Sequence, residues 1–328
     1  MIKKLNLMKH VANAAMLAVA YSAPTAAFAE VFPNKPIRMI VPASAGGAAD
    51  TLARLVSKYM AESWKQPIVV ENRAGASGII GIEAGSKASP DGYTALMGYT
   101  FMVQAPALYS KLPYDVYRDL QPVMQVAKSP NLFAIPTSLK VKTFQEFVAK
   151  AKEAQGKYSL GSNGNGTSAH MQGTVISRRA GMELVHVPFK GSAPEIQALL
   201  GDQITSGIVD IGSAQPFVSS GALRVLAVTG DRRLKSLPDV PTFKELGFEG
   251  FESVGWFGVF LPANTPQDIV RKYVAELTRI MRIPEVASRI ESLGMIPTSV
   301  GPDAFAKSMR ADGDHWTRMA REGNIRLD

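Results

Sequence analysis

Short β-branched runs that give way to glycine-rich turns and then to amphipathic helical stretches constrain this chain more than any other feature. The run I-R-M-I-V at residues 37 to 41 leads into P-A-S-A-G-G-A-A-D at 42 to 50, and then into a stretch whose Leu52, Leu55, Val56 and Tyr59 share one helical face. A second strand is expected at 68 to 70, before the turn E-N-R-A-G-A-S-G-I-I-G at 71 to 81 and another helix, and a third strand begins at Tyr93. The theme resumes with a strand from Phe133 to Ile135, a helix at 144 to 154, a strand at 158 to 161 and a turn plus helix at 164 to 180. Strands at 184 to 187 and 208 to 211 flank a helix at 194 to 200, and L-R-V-L-A-V at 223 to 228 is the clearest buried strand of this half. In the last quarter, Ile269, Val270, Tyr273, Leu277 and Ile280 mark one helical face, and Pro266 and Pro284 stand where helices begin. Alternation of this kind predicts an α/β fold with mostly parallel sheets flanked by helices. No repeat or linker divides the two α/β halves, so crossing strands are expected to join them, with a ligand crevice near the carboxyl ends of strands.

The first 29 residues stand apart from this pattern. Lys3, Lys4 and Lys9 precede an apolar stretch at 11 to 21, then Pro24 and the triplet Ala27, Phe28, Ala29, the layout of a signal peptide cleaved after Ala29. A membrane anchor is the alternative, but the run is shorter than the roughly 18 to 20 apolar residues that span a bilayer. Export to the periplasm is therefore expected. The basic balance changes with it: losing three lysines takes the formal charge from +8 to +5. The remaining Lys and Arg are dispersed, without the aromatic-interleaved stripe of a nucleic-acid surface.

The chain has no cysteine, which excludes disulfides, thiolate metal sites and thiol nucleophiles. It has no H-E-x-x-H, Walker A or G-x-S-x-G motif, and His170, His186 and His315 form no metal spacing, so no cofactor or metal is expected. His170 and His186 read as packed structural residues.

Four turns are candidate sites. Residues 42 to 50 read either as an anion cradle, with Gly46 and Gly47 letting the backbone approach a ligand at a helix N-terminus, or as an ordinary turn capped by Asp50. In G-S-N-G-N-G-T-S-A-H at 161 to 170, Gly164, Gly166 and Ala169 fit G-x-G-x-x-A, with Glu183 at the distance of a ribose-binding acid. A dinucleotide is not expected outside the cytoplasm, and Ser162, Asn163, Thr167 and Ser168 suit a carboxylate; a purely structural turn is the remaining reading. The turn at 71 to 81 and H-V-P-F-K-G-S-A-P at 186 to 194 complete the set, with Lys190 either an anion partner or simply solvated.

Taken together, these strings resemble the substrate-binding proteins of tripartite tricarboxylate transporters, the Bug family. The resemblance rests on F-P-N-K-P-I-R-M-I-V-P at 32 to 42, G-G-A-A-D at 46 to 50, V-E-N-R-A-G-A-S-G at 70 to 78, G-S-N-G-N-G-T at 161 to 167, H-V-P-F-K-G at 186 to 191, L-A-V-T at 226 to 229, P-D-V-P-T at 238 to 242 and G-M-I-P at 294 to 297. It implies a two-lobed, Venus-flytrap periplasmic-binding-protein architecture that closes on a small carboxylate and delivers it to membrane permease subunits. One lobe would hold residues 30 to 129 with 252 to 328, and the other 130 to 251. By the same resemblance, main-chain N–H groups and waters hold the carboxylate at Ser44, Gly46, Gly47 and Asp50, at Ala76 and Ser77, at Ser162, Asn163, Gly166, Thr167 and Ser168, and at Lys190 and Gly191. A monomer is expected.

Two departures bear on the ligand. Where relatives carry a G-T-x-x-x-H-like polar run, this chain has G-Y-T-F-M-V-Q at 98 to 104, and where they carry an acid after the G-G-Q turn it has Thr205 and Val209, with Asp210 one place later. Losing carboxylates while gaining Tyr99, Phe101 and Met102 points to an aromatic or otherwise poorly polar carboxylate. The rival readings are a periplasmic serine hydrolase, its Ser and His assembled by folding, and a sensor partner that presents ligand to a membrane protein.

Overall fold

The computed structural model describes residues 32–327, so the expected signal peptide lies outside the described residues. Two mixed sheets carry the fold. The first has strand order β11-β4-β10-β3-β1-β2, built from β1 (Ile37–Val41), β2 (Ile68–Asn72), β3 (Thr94–Tyr99), β4 (Leu120–Ser129), β10 (Gly255–Pro262) and β11 (Ile296–Val300). The second runs β7-β6-β8-β5-β9, from β5 (Asn131–Pro136), β6 (Ser159–Ser162), β7 (Val185–Pro188), β8 (Ser206–Asp210) and β9 (Leu223–Val228). Ten helices flank them among the described residues: α1 (Ala48–Trp64), α2 (Ile79–Ser86), α3 (Phe101–Leu108), α4 (Phe144–Glu153), α5 (Ser168–Arg179), α6 (Ser192–Leu200), α7 (Ile211–Ser219), α8 (Gln267–Met281), α9 (Pro284–Ser292) and α10 (Pro302–Gly323).

Between named strands, parallel pairing is confined to those joined through helices, β1 with β2 and β3, and β6 with β7 and β8. The strands that carry the chain between sheets break that rule. β4 ends at Ser129 and β5 begins at Asn131, so a single residue separates the two sheets, and both strands pair antiparallel with their neighbours. β10 then returns the chain to the first sheet, antiparallel to both β3 and β4. The mostly parallel expectation thus gives way to mixed sheets because crossing strands enter without a preceding crossover helix.

Local sequence accounts for most elements. In α1, Leu52, Ala53, Val56 and Met60 are fully buried while Leu55 and Tyr59 are only half-buried, so the apolar stripe is centred one residue away from the expected face. Asp50 is not the cap of α1: Gly47 holds that position and Asp50 sits in the first turn. In α8, Val270, Tyr273, Leu277 and Ile280 are buried as the period requires. Pro266 caps α8 and Pro284 opens α9. The second sheet is centred on Phe133, whose ring meets Phe144 and Phe147 edge-on at 5.2 and 5.1 Å. In the first sheet, Trp256 packs edge-on against Phe305 of α10 at 5.0 Å. Burying each such ring contributes about 1.5–3 kcal/mol. Further along α10, Glu322 accepts from Arg179 of α5 at 2.7 and 2.8 Å, so one helix packs against elements of both sheets.

Candidate functional site

A cavity of about 610 Å³ opens where the carboxyl ends of β3, β6 and β7 meet the β4–β5 crossing and the start of β10. This is where an α/β crevice is expected to bind ligands, and the volume lies within the ordinary ligand range. Among the described residues, Lys190 is the only charged side chain lining it, and no carboxylate does. The cavity therefore favours an anion.

The wall on the second-sheet side is built around α5. Thr167 caps this helix, accepting from His170 N–H at 3.3 Å while its hydroxyl donates to Gly164 O at 2.8 Å. The first N–H groups of α5 have no partner within the helix, and Ser168 and Ala169 both line the cavity. Behind the loop, His170 Nδ1 accepts from Gly166 N–H at 3.0 Å, which leaves the ring proton on Nε2. The His170 ring stacks on His186, and His186 Nε2 lies 2.8 Å from Ser162 Oγ. Burial, aided by the neighbouring His186, pushes the His170 pKa down to about 4, and burial lowers that of His186. Both imidazoles are neutral at neutral pH, as structural residues should be.

The opposite wall is aromatic. Tyr99 lies between Phe101 and Phe257, with centroids 6.4 Å away in each case, and Tyr109 meets Phe101 edge-on. Burial pushes the Tyr99 phenol up to about 12. A hydrogen bond spans the two walls: Gln104 Nε2 of α3 donates to Ser168 Oγ of α5 at 2.7 Å.

Half of the residues expected from sequence line this cavity: Ser77, Tyr99, Asn163, Thr167, Ser168, Lys190 and Gly191. The others do not. Ser44, Gly46 and Gly47 lie in an exposed loop, and Ala76 is exposed with φ 46°. Asp50 is buried beneath that loop. Its carboxylate accepts from Gly46 N–H, Arg54 and Asn72, and although burial raises its pKa, these bonds hold it below the usual carboxylate range. Its role is to fix the loop. Ser162 is fully buried and faces the loop backbone, within 3.4 Å of Gly164 N and 3.3 Å of Gly164 O. Gly166, at φ +72°, packs where a Cβ would come within 2.6 Å of Leu327 and 2.9 Å of Leu108. Its glycine character serves the packing of the loop, not a phosphate. Asp210 caps α7 by accepting from Ser213 N–H.

Several lining residues escaped the sequence reading, among them Gln104, Asn131, Trp256 and Phe257. The G-W-F-G run that opens β10 was the available signal, because strands crossing between sheets border the crevice. Glu195 escaped it too. Its carboxyl is buried against β6 and β8 with neither oxygen hydrogen-bonded, and burial, with Asp210 nearby, pushes its pKa up to about 9.

Residues 52–325 match the family model described as the tripartite tricarboxylate transporter family receptor. The "UPF0065 protein in tcbD-tcbE intergenic region" of Pseudomonas sp. (strain P51) is 34% identical over 93% of this chain and 91% of its own. Among solved structures, the periplasmic binding protein BugD superposes with a TM-score of 0.79 at 30% identity, covering 90% of this chain and 100% of that one. An R. palustris protein solved with adipate gives a TM-score of 0.82 at 28% identity, over 90% and 99% of the two chains. Among the described residues no helix is long and apolar enough to cross a membrane. With the matched segment covering every strand but β1 among the described residues and all of the cavity lining but Leu327, the chain belongs to the tripartite tricarboxylate transporter receptor family, the Bug proteins, whose members are periplasmic solute-binding proteins.

Proposed function

We propose that this chain is an exported receptor, not an enzyme, that closes two lobes around a small aromatic or otherwise poorly polar carboxylate and delivers it to the permease subunits of a tripartite tricarboxylate-type transporter. The lobes are residues 30 to 129 with 252 to 328, and residues 130 to 251, a division supported by the membership of the two sheets. The cavity carries the reading: one cation, Lys190, and the start of α5 face an aromatic wall with no acid among the described lining side chains. A carboxylate gains charge-assisted hydrogen bonds at such a helix start, while an amino group finds no counter-charge. The adipate bound by the R. palustris relative supports the carboxylate class. Closure follows if the ligand touches both walls, since only differential contacts shift an open–closed equilibrium. A thermal-shift screen of aliphatic and aromatic mono-, di- and tricarboxylates, with their amides as controls, tests this. Carboxylates should raise the melting temperature and be recovered intact. Response only to citrate-like or amino-acid ligands would sink the poorly polar class, and product formation would sink the receptor.

The Ser162–His186 contact is the one observation that favours a hydrolase. Ser162 is fully buried and does not line the cavity, so an ester placed there cannot reach its Oγ without rearrangement of the loop.

A further inference from the structure

We infer that the ligand carries a single anionic end and a flat apolar body, and that Tyr99 is the specificity-determining residue that closes the far end of the cavity; this rests on the receptor reading above. The donors are gathered on one side. Asn163, Ser168 and Lys190 line the cavity together with the start of α5, whose cap Thr167 has its own proton on Gly164 O.

On the other side no side chain is charged, and beyond the hydroxyls of Ser77 and Tyr109 the principal polar groups are already committed. A phenol has one proton, and Tyr99 donates it to Ser77 O at 2.8 Å, with Pro42 O 3.4 Å away. Thr100 Oγ1 accepts Trp256 N–H and lies 3.3 Å from Trp256 O, while Gln104 is bonded to Ser168. A carboxylate at this end would meet carbonyl oxygens, ring faces and only the neutral hydroxyls of Ser77 and Tyr109, and would lose its water without a charged partner. A benzene ring, by contrast, can pack against Tyr99, Phe101 and Phe257.

Tyr99 also sets where the cavity stops. Ser77 and Tyr99 line the cavity, whereas none of residues 42 to 50, which the sequence leaves open as an anion cradle or an ordinary turn, does. The tyrosine is held in place by its bond to Ser77 O and by contact with Gly78, where an added Cβ would lie against the phenol oxygen. An apolar ring closes one end of a site whose other end is built for an anion.

Calorimetric titration of the mature protein with benzoate, terephthalate, hexanoate and adipate tests the inference. Benzoate and hexanoate should each bind at least tenfold more tightly than the dicarboxylate of similar body. In Tyr99→Ala, benzoate should weaken about tenfold, while biphenyl-4-carboxylate should gain relative to it as the cavity lengthens. Equal or tighter binding of terephthalate and adipate by the unaltered protein overturns the inference and leaves the receptor reading standing. Binding of no carboxylate overturns both. The comparison on the unaltered protein stands whether or not the variant folds.

Discussion

The imidazoles of His170 and His186 stack with centroids 3.9 Å apart and planes within 2° of each other, tying the cap of α5 to strand β7. Two rings this close cannot both carry charge, and His170 must stay neutral at Nδ1 to accept from Gly166 N–H. With its pKa near 4 in the folded chain against about 6.5 unfolded, the unfolded chain takes up a proton first as pH falls. Stability from this pair is therefore full above pH about 6.5 and lost as pH falls toward 4. Urea denaturation across that window should show a declining midpoint, and His170→Phe should flatten the decline. An unchanged slope in that variant would place the proton uptake elsewhere.

Glu195 acts in the opposite sense. Its folded pKa near 9 lies above the ordinary value of 4.5, so the folded chain holds a proton that the unfolded chain releases, and stability falls as pH rises from 4.5 to 9. Between pH about 7.5 and 9 the histidines are almost wholly neutral in both states and Glu195 acts without their opposition. At pH 8 the penalty is on the order of a few kcal/mol. Glu195→Gln should raise the denaturation midpoint at pH 8 and much less at pH 5. An equal effect at both would show that the carboxyl is not carrying the proton.

The unequal success of the sequence reading has physical causes. Strands β1 and β9 and helix α8 are legible because each has one period and a clear boundary. By contrast, α3 is apolar on every side and contains Pro106, while β4 contains Pro122, so neither shows a usable period. For the site, hydroxyl and amide residues at the start of α5 were legible from local chemistry. Gln104, Trp256 and Phe257 come to the cavity only through the chain's return in β10 and the packing of α3, which no local pattern encodes. The loop containing Ser44 carries the same small-residue signature as the α5 loop, but Tyr99 stands between it and the cavity, a tertiary fact.

Thr167 should prove separable from its neighbour Ser168. Thr167 Oγ1 caps α5 and fastens Gly164, whereas Ser168 Oγ accepts from Gln104 across the cavity. Thr167→Ala should cost about 1 kcal/mol of global stability as well as ligand affinity. Ser168→Ala should weaken carboxylate binding by about 1 to 2 kcal/mol with a smaller change in stability. Thr167→Ser keeps the hydroxyl and should restore most of the loss. Denaturation and calorimetry on the three variants decide it, and unchanged affinity in both alanine variants would mean that the carboxylate binds elsewhere.

The last prediction concerns Gly78, which has φ +101° and whose added Cβ would lie 2.9 Å from Pro42 O as well as against the Tyr99 hydroxyl. Gly78→Ala should therefore cost at least about 2 kcal/mol, part of it backbone strain and part displacement of Tyr99. The two parts can be separated by a double-mutant cycle. Tyr99→Phe removes the oxygen that the new methyl would strike and leaves the backbone strain and the Pro42 contact in place. The cost of Gly78→Ala should be about 1 kcal/mol smaller in the Tyr99→Phe background than alone. Additive costs would show that the glycine answers only to its backbone conformation, and that Tyr99 is not held by this contact.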